Sequence, residues 1–264
     1  MYFDEDLVLD IRLNTLNKEV DKFIIVEATR NHAGQPKKLN FKIENFRKFK
    51  DKIQYIVVDD LPINVKSQKK GWHDNHVRDQ FQRNAIARGY KNFDEKDLIM
   101  ISDIDEIPDP EKVKLFNIKN KYACFLQKNF QSKINLLNIT EENWVGTKIC
   151  QKKNLISPQW LRSLKIKKRS FWNIFRDRQP QIILNGGWHF SFLKDAESIR
   201  SKIISYSHQE YNTEELTNID NIKKQILKGE DLFKRNMKYK IVDLDSTFPN
   251  YIFKNKEKFK DWLI

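Results

Sequence analysis

The chain has 264 residues, 39% hydrophobic and 32% charged, with a formal net charge of +13 and a mean hydropathy of −0.70. That is enough apolar material for one large α/β domain or two small ones. No apolar run approaches the roughly 18 residues of a spanning helix, and the opening Met1-Tyr2-Phe3-Asp4-Glu5-Asp6 lacks the basic and apolar parts of a signal peptide, so a cytoplasmic chain is expected. The charge suits an anionic ligand or surface, such as a nucleotide sugar, nucleic acid or acidic lipid, whereas seven glycines and no Gly-x-Gly-x-x-Gly disfavour a dinucleotide fold.

In chain order, Asp4 or Asp6 can cap a helix running to about residue 17, with Leu9, Leu13, Leu16 and Val20 on one face. A strand over 22–27 ends in a polar loop punctuated by Gly34 and Pro36. A short helix around 42–50 precedes a strand over 53–58 that stops at Asp59-Asp60. Strand, helix, strand with polar residues at each carboxyl end is the rhythm of a parallel sheet. A basic loop with Lys66, Lys69 and Lys70 leads to a helix from 74 to about 90, whose Val77, Phe81, Ala85 and Ile86 share one side. A buried strand follows over 97–102, then a helix over 111–116 and a strand over 122–126.

From 130 to 185 the pattern is less regular. Trp144, Trp160 and Trp172 are scattered among Lys and Arg, and a basic cluster at 165–169 reads as a solvated face or, if functional, a holder of phosphate or an anionic acceptor. Gly186-Gly187 reads as a tight turn into a strand through 192. Trp188, Phe190 and Phe192 there read as core, with one ring able to stack on a sugar. An amphipathic helix carries Ile199, Ile203 and Ile204, and a further helix follows residue 221. Cys124 and Cys150 form no Cys-x-x-Cys pair and read as reduced thiols. There is no internal repeat, and no linker divides the chain, which reads as one domain over 1–264.

The chemistry concentrates in Ser102-Asp103-Ile104-Asp105-Glu106-Ile107-Pro108, where the 97–102 strand runs into three carboxylates. Open α/β sheets place ligands at this end of a strand. Asp103 and Asp105 can reach one hard divalent cation, Mg²⁺ or Mn²⁺, that leaves positions open for phosphate. Glu106 stays undecided between a third ligand, a supporting group and a helix-start carboxylate.

The order of motifs narrows the choice. Asp10-Ile11-Arg12-Leu13-Asn14, Val20-Asp21-Lys22-Phe23-Ile24-Ile25-Val26-Glu27-Ala28-Thr29-Arg30, Phe81-Gln82-Arg83-Asn84-Ala85-Ile86, the Asp-x-Asp segment, Gly187-Trp188-His189-Phe190-Ser191 and Ser205-Tyr206-Ser207-His208 resemble successive blocks of glycosyltransferase family 17. The resemblance runs from about residue 3 to 211. It implies a GT-A-type nucleotide-diphospho-sugar transferase fold, α/β with a Rossmann-like, mostly parallel sheet and helices on both faces. Residues 1–110 would form the nucleotide-sugar half, and 111–264 the acceptor-side half with C-terminal helices. It also implies an inverting mechanism, a UDP-sugar donor (UDP-N-acetylglucosamine), Mn²⁺ or Mg²⁺, and a carbohydrate or glycoconjugate acceptor. Asp103, Asp105 and His189 become the expected metal ligands. Glu27, Thr29 and Arg30 are placed at the nucleoside, and Arg83 and Asn84 at the ribose or diphosphate. Glu210 is the first choice of general base over Asp177 and Glu197, and His208 reads as core. Two features depart from the family pattern. The sequence has no counterpart of the animal enzymes' membrane anchor and stem, and only Tyr2-Phe3 represent the apolar strand before the first helix. Two other readings stand beside this one: a nucleotidyltransferase, and a non-catalytic nucleic-acid binder using the Trp- and Lys-rich 144–172 region.

Overall fold

The first strand, β1 (Phe23–Ala28), alternates its faces as a period of two requires. Phe23 and Ile25 enter one apolar cluster, while Val26 and Ala28, with Ile24 packed alongside, enter another. Both faces are therefore covered, one by helix α1 (Asp6–Leu16) and the other by the segment after helix α2 (Asp74–Asn84). The computed structural model describes residues 1–66, 74–166, 180–205 and 209–264. The expectations for Trp172, Asp177 and His208, and for the basic cluster from 167 on, lie outside the described residues.

The remaining strands are β2 (Ile53–Val58), β3 (Leu98–Ile101), β4 (Glu106–Pro108), β5 (Tyr122–Gln131), β6 (Leu136–Asn138), β7 (Asn143–Gln151), β8 (Gln181–Ile183), β9 (Gly187–Ser191) and β10 (Tyr239–Ile241). The helices after α1 are α2 (Asp74–Asn84), α3 (Pro110–Val113), α4 (Pro158–Ser163), α5 (Ala196–Ser205), α6 (Glu214–Thr217), α7 (Ile219–Lys228) and α8 (Asn250–Lys254). The expected helix over 42–50 is a 3₁₀ segment, Ile43–Phe49. The expected 74–90 helix is α2 followed by a 3₁₀ turn, Ala85–Gly89.

The mostly parallel sheet is corrected. β1 and β2 pair in parallel as a two-stranded sheet of their own. The eight-stranded main sheet runs β10-β6-β5-β7-β3 along its path, with β8 and β9 on the other edge of β5 and β4 beyond β9. The β10–β6, β6–β5, β5–β7, β7–β3 and β4–β9 pairs are antiparallel, and only β5–β8 and β5–β9 are parallel. The reason lies in connection length. β1 and β2 are separated by a long crossover, whereas β5, β6 and β7 follow one another through short links that can only turn back. The 97–102 strand is thus antiparallel to β7 and not the middle of a parallel sheet.

α1 is the packing centre. It buries Val8, Leu9, Ile11, Leu13 and Leu16, more than one stripe of its surface. Phe46 and Phe49 pack there, as do Ile252 and Phe259 from the C-terminal helical segments. Each such side chain contributes about 1.5–3 kcal/mol. A second helical cluster joins α5 and α7 through Ile199, Ile203, Ile222, Leu232 and Phe233. The boundary near residue 110 is crossed by the sheet itself, since β3 pairs β7 and β4 pairs β9.

One glycine sets how close β4 and β9 come. Gly187 sits opposite Pro108 with φ +132°, and a Cβ there would lie 2.2 Å from the Ile107 carbonyl oxygen. Gly187→Ala is therefore expected to cost about 2–3 kcal/mol, read as a lower denaturant midpoint with unchanged slope.

Candidate active site

The Asp-x-Asp segment is the tight link from β3 to β4. Glu106 N donates to the Asp103 carbonyl (3.1 Å), and the Asp103 amide donates to Glu106 Oε2 (3.1 Å). Glu106 is buried and holds the link from inside. Its Oε1 accepts from Trp144 Nε1 and from Arg162 Nη2, both at 2.7 Å. From α1, Arg12 donates to the Glu106 carbonyl and to Ser102 Oγ, each at 2.7 Å. Burial pulls the Arg12 guanidinium down to about 10, against the pull of Glu106, Asp105 and Asp103, so it stays charged at neutral pH.

Asp103 and Asp105 face different partners. Asp103 Oδ1 accepts from Arg83 at 3.1 Å, and Oδ2 from Arg162 at 3.0 Å. Burial would raise the Asp103 carboxyl, but Arg162, Arg83 and the Met1 amino group together hold it well below the usual range. Arg83 is itself held by Asp79 (2.7 and 3.2 Å) and Gln159 (2.6 Å). Asp105 lies between His189 Nε2 and Lys202 Nζ, each 3.8 Å from one of its oxygens.

The imidazole of His189 is oriented from behind. Glu106 and His189 are register partners across β4 and β9, and the Phe190 amide donates to the Asp105 carbonyl (2.9 Å). The ring stacks on Trp144, with centroids 4.6 Å apart. Asn129 Nδ2 donates to the Glu141 carbonyl at 3.1 Å, which leaves Asn129 Oδ1 to face His189 Nδ1 at 3.0 Å. An oxygen acceptor there requires the hydrogen on Nδ1, so in the neutral ring the Nε2 lone pair points towards Asp105. Two electron-pair donors facing each other fit a divalent cation, with Asn129 as the outer support of the His ligand. Asp103 does not fit that role here, because both its oxygens lie against guanidinium groups. Among the described residues, no three His, Cys, Asp or Glu side chains gather as a metal cluster.

Of these groups, Arg83, Asp103, Asp105, Glu106, Asn129, Trp144, Arg162, His189 and Lys202 line one cavity of about 630 Å³, shared by Arg30, His32, Lys37, Asp79, Gln82, Phe192, Glu210, Tyr211 and Arg235. The size and the mixed lining are those of a small-molecule site.

A family model described as Glycosyltransferase family 17 matches residues 1–263. The chain belongs to glycosyltransferase family 17. The relatives it matches include the beta-1,4-mannosyl-glycoprotein 4-beta-N-acetylglucosaminyltransferases of Rattus norvegicus, Mus musculus and Homo sapiens. Each is 22% identical, over 96% of this chain and 51–52% of the relative. The chain therefore spans about half the length of the curated relatives it matches. No solved structure matches it. Membership in a glycosyltransferase family leaves the nucleotidyltransferase and nucleic-acid readings without support. No helix among the described residues is long and apolar enough to cross a membrane.

Within this family 17 chain the expected site residues divide. Arg30, Arg83, Asp103, Asp105, His189 and Glu210 all line the cavity. Glu210 is exposed, in a 3₁₀ turn over Gln209–Tyr211, whereas Glu197 is exposed in the first turn of α5 and lies outside the lining. Glu27, Thr29 and Asn84 do not line the cavity. Glu27 is buried and accepts from Lys37, the Asn40 and Phe41 amides (2.8 and 3.0 Å) and Tyr55 Oη (2.8 Å), so it fixes the 37–41 loop. Thr29 bonds to the Val58 carbonyl. Asn84 Oδ1 accepts from the Gln159 amide at 3.0 Å and ties α2 to α4, the helix that carries Arg162.

Arg12, Asn129, Arg162 and Lys202 carry no assigned role in the sequence reading, and Trp144 enters it only as part of the Trp- and Lys-rich 144–172 region. Arg12 lies within a quoted motif. For Arg162 the available signal was Ser157-Pro158, a helix start in which Ser157 Oγ accepts from the Trp160 amide at 3.1 Å.

Two expectations follow. Glu27→Ala, which takes a shared acceptor from Lys37, the Tyr55 hydroxyl and two amides, should cost on the order of 3–5 kcal/mol in chemical denaturation. The second concerns Lys148, buried in β7 with its ammonium on the Arg162 carbonyl. Burial, then the nearby Arg162, lowers it to about 8 from an ordinary 10.5. The folded state thus binds this proton more weakly than the unfolded chain, and the full penalty applies below about pH 8. Lys148→Met should accordingly gain about 1–2 kcal/mol at pH 7, after the cost of the orphaned carbonyl. That gain should shrink through pH 8–10.5 in denaturation curves.

Proposed function

We propose that the cavity binds a nucleotide-diphospho-sugar, UDP-N-acetylglucosamine in the first instance, and transfers the sugar with inversion to a carbohydrate or glycoconjugate hydroxyl. The observation that carries this reading is the convergence of the Asp105 carboxylate and the His189 Nε2 lone pair on the cavity of a family 17 chain. Asp105 and His189 would hold Mn²⁺ or Mg²⁺, which supplies Lewis-acid neutralisation of the departing diphosphate.

The chain's own groups supply the rest. Arg83 and Arg162 bring fixed positive charge to the same wall, held in place by Asp79, Asp103 and Glu106, so little reorganisation accompanies diphosphate departure. The loop at the end of β1, with Arg30 and Lys37 at the lining, is the nucleoside side of the cavity. Glu210 is the acid proposed to take the acceptor hydroxyl's proton as that oxygen attacks the anomeric carbon and the diphosphate leaves.

UDP-N-acetylglucosamine at about 100 times its Kd should raise the melting temperature by about 5 °C or more when Mn²⁺ is present, and not in its absence. The rise should vanish in Asp105→Asn and in His189→Ala. Salt-sensitive oligonucleotide binding by a protein that UDP-sugars leave unaffected would overturn the proposal.

A further inference from the structure

The carboxyl end of β5 holds a polar group that nothing so far employs. Gln131 is 5% exposed, lines the cavity, and its Nε2 finds no partner among the described residues. Its orientation is fixed chemically. The other end of the amide takes Tyr239 Oη and, at 3.4 Å, Arg235 Nη2. A guanidinium can only donate, so that end must be Oε1 and the orphan must be the NH₂. Native structures seldom leave such a donor buried without a use.

Its surroundings point to a ligand. Gln131 is two residues beyond Asn129 on the same face of β5, about 7 Å further along the strand, and Asn129 is the group that orients His189. Their register partners on β9 are Ser191 and His189. Both strands then leave the sheet through left-handed residues that are not glycine, Ser132 (φ 57°) and Phe192 (φ 53°), closed by a bond from the Ser132 amide to the Ser191 carbonyl (2.8 Å). Strained backbone of this kind gathers at ligand sites. The Phe192 ring meets Phe233 with centroids 5.0 Å apart, and Tyr211 meets the same ring at 4.6 Å.

We propose that this end of the cavity is a subsite for the acetamido group of a 2-acetamido-2-deoxyhexosyl donor, with Gln131 Nε2 donating to the acetamido carbonyl and the Phe192, Tyr211 and Phe233 rings covering its methyl. A 2-hydroxyl offers an acceptor but nothing for the rings. The proposal rests on the nucleotide-sugar reading of the cavity.

The test is calorimetric binding of UDP, UDP-glucose and UDP-N-acetylglucosamine with Mn²⁺ to the wild type, Gln131→Glu and Gln131→Met. Gln131→Glu keeps an acceptor for Arg235 and Tyr239 but replaces the orphan donor with an acceptor. Wild type should bind UDP-N-acetylglucosamine at least about tenfold tighter than UDP-glucose, the worth of one well-made hydrogen bond. In Gln131→Glu the ratio should fall to about threefold or less while UDP affinity holds within twofold. A ratio unchanged in both variants, absence of the preference in wild type, or loss of UDP binding together with the preference in both variants would overturn the subsite. Should Gln131→Glu fail to fold, Gln131→Met decides by the same ratio. If wild type binds neither UDP nor either sugar nucleotide, the parent reading falls and the subsite with it, an outcome distinct from UDP binding without acetamido selectivity.

Discussion

A single buried carboxylate organises this protein. Glu106 joins four parts of the chain: the Asp103 amide at the end of β3, Trp144 on β7, Arg162 on α4 and, through its backbone, Arg12 on α1. Removing a charge of this sort from water is costly, and it persists only because each oxygen meets a donor, one of them cationic. The arrangement fixes the positions of its neighbours. Trp144 is held where its ring supports His189, and Arg162 where it meets Asp103.

The two aspartates that look equivalent in sequence are thereby given different work. Asp103 spends its charge on two arginines, which keeps positive charge on the cavity wall in a defined place. Asp105 is left with longer contacts, to Lys202 and His189, and so has lone pairs to offer. A basic composition thus becomes a local arrangement of alternating sign. The guanidinium groups on the wall are already neutralised in part and locked in direction, the arrangement by which a polar site avoids reorganising when charge moves.

Much of this was legible beforehand, for physical reasons that can be named. β2 spans the expected residues, and β1 and β3 shift by a residue or so, because short apolar runs bounded by polar residues admit few other readings. The long meander was not legible. β7 contains Gly146 and Lys148, which interrupt its apolar pattern, yet the glycine makes room for Gln127 and the lysine is buried. Without β6 and β7 the sheet looked parallel. At the site, motif order draws attention to Asp103, Asp105 and His189, and all three line the cavity, although the guanidinium partners of Asp103 are invisible in one dimension. Glu27 was misplaced because a buried acid that anchors a loop and an acid that meets a ligand look alike in one dimension. Glu106 could not be resolved for the same reason. Only the partners, Trp144 some 38 residues away and Arg162 some 56 away, distinguish them.

The separation of β1–β2 from the main sheet has a mechanical meaning. Between β1 and β3 lies a cleft of about 530 Å³, lined by Phe23, Ile24 and Ile25 on one side and Leu98, Ile99 and Met100 on the other, with charged residues such as Arg12, Asp21 and Lys96 also at its walls. No backbone ladder joins these strands, so the loop that follows β1 and the aspartate link that follows β3 hang from different frames. Helix α2 spans the gap between them: its Arg78 donates to the His32 carbonyl on one wall and its Arg83 to Asp103 on the other. A ladder of amides fixes the spacing of two strands directly, whereas these contacts reach across through long side chains, and the partly buried Arg83–Asp103 pair among them is little screened by salt. The width of the cavity is therefore set partly by side chains: the apolar cluster shared by Val26, Ala28, Ile99 and Ile101, and the two arginines of α2 that reach both walls.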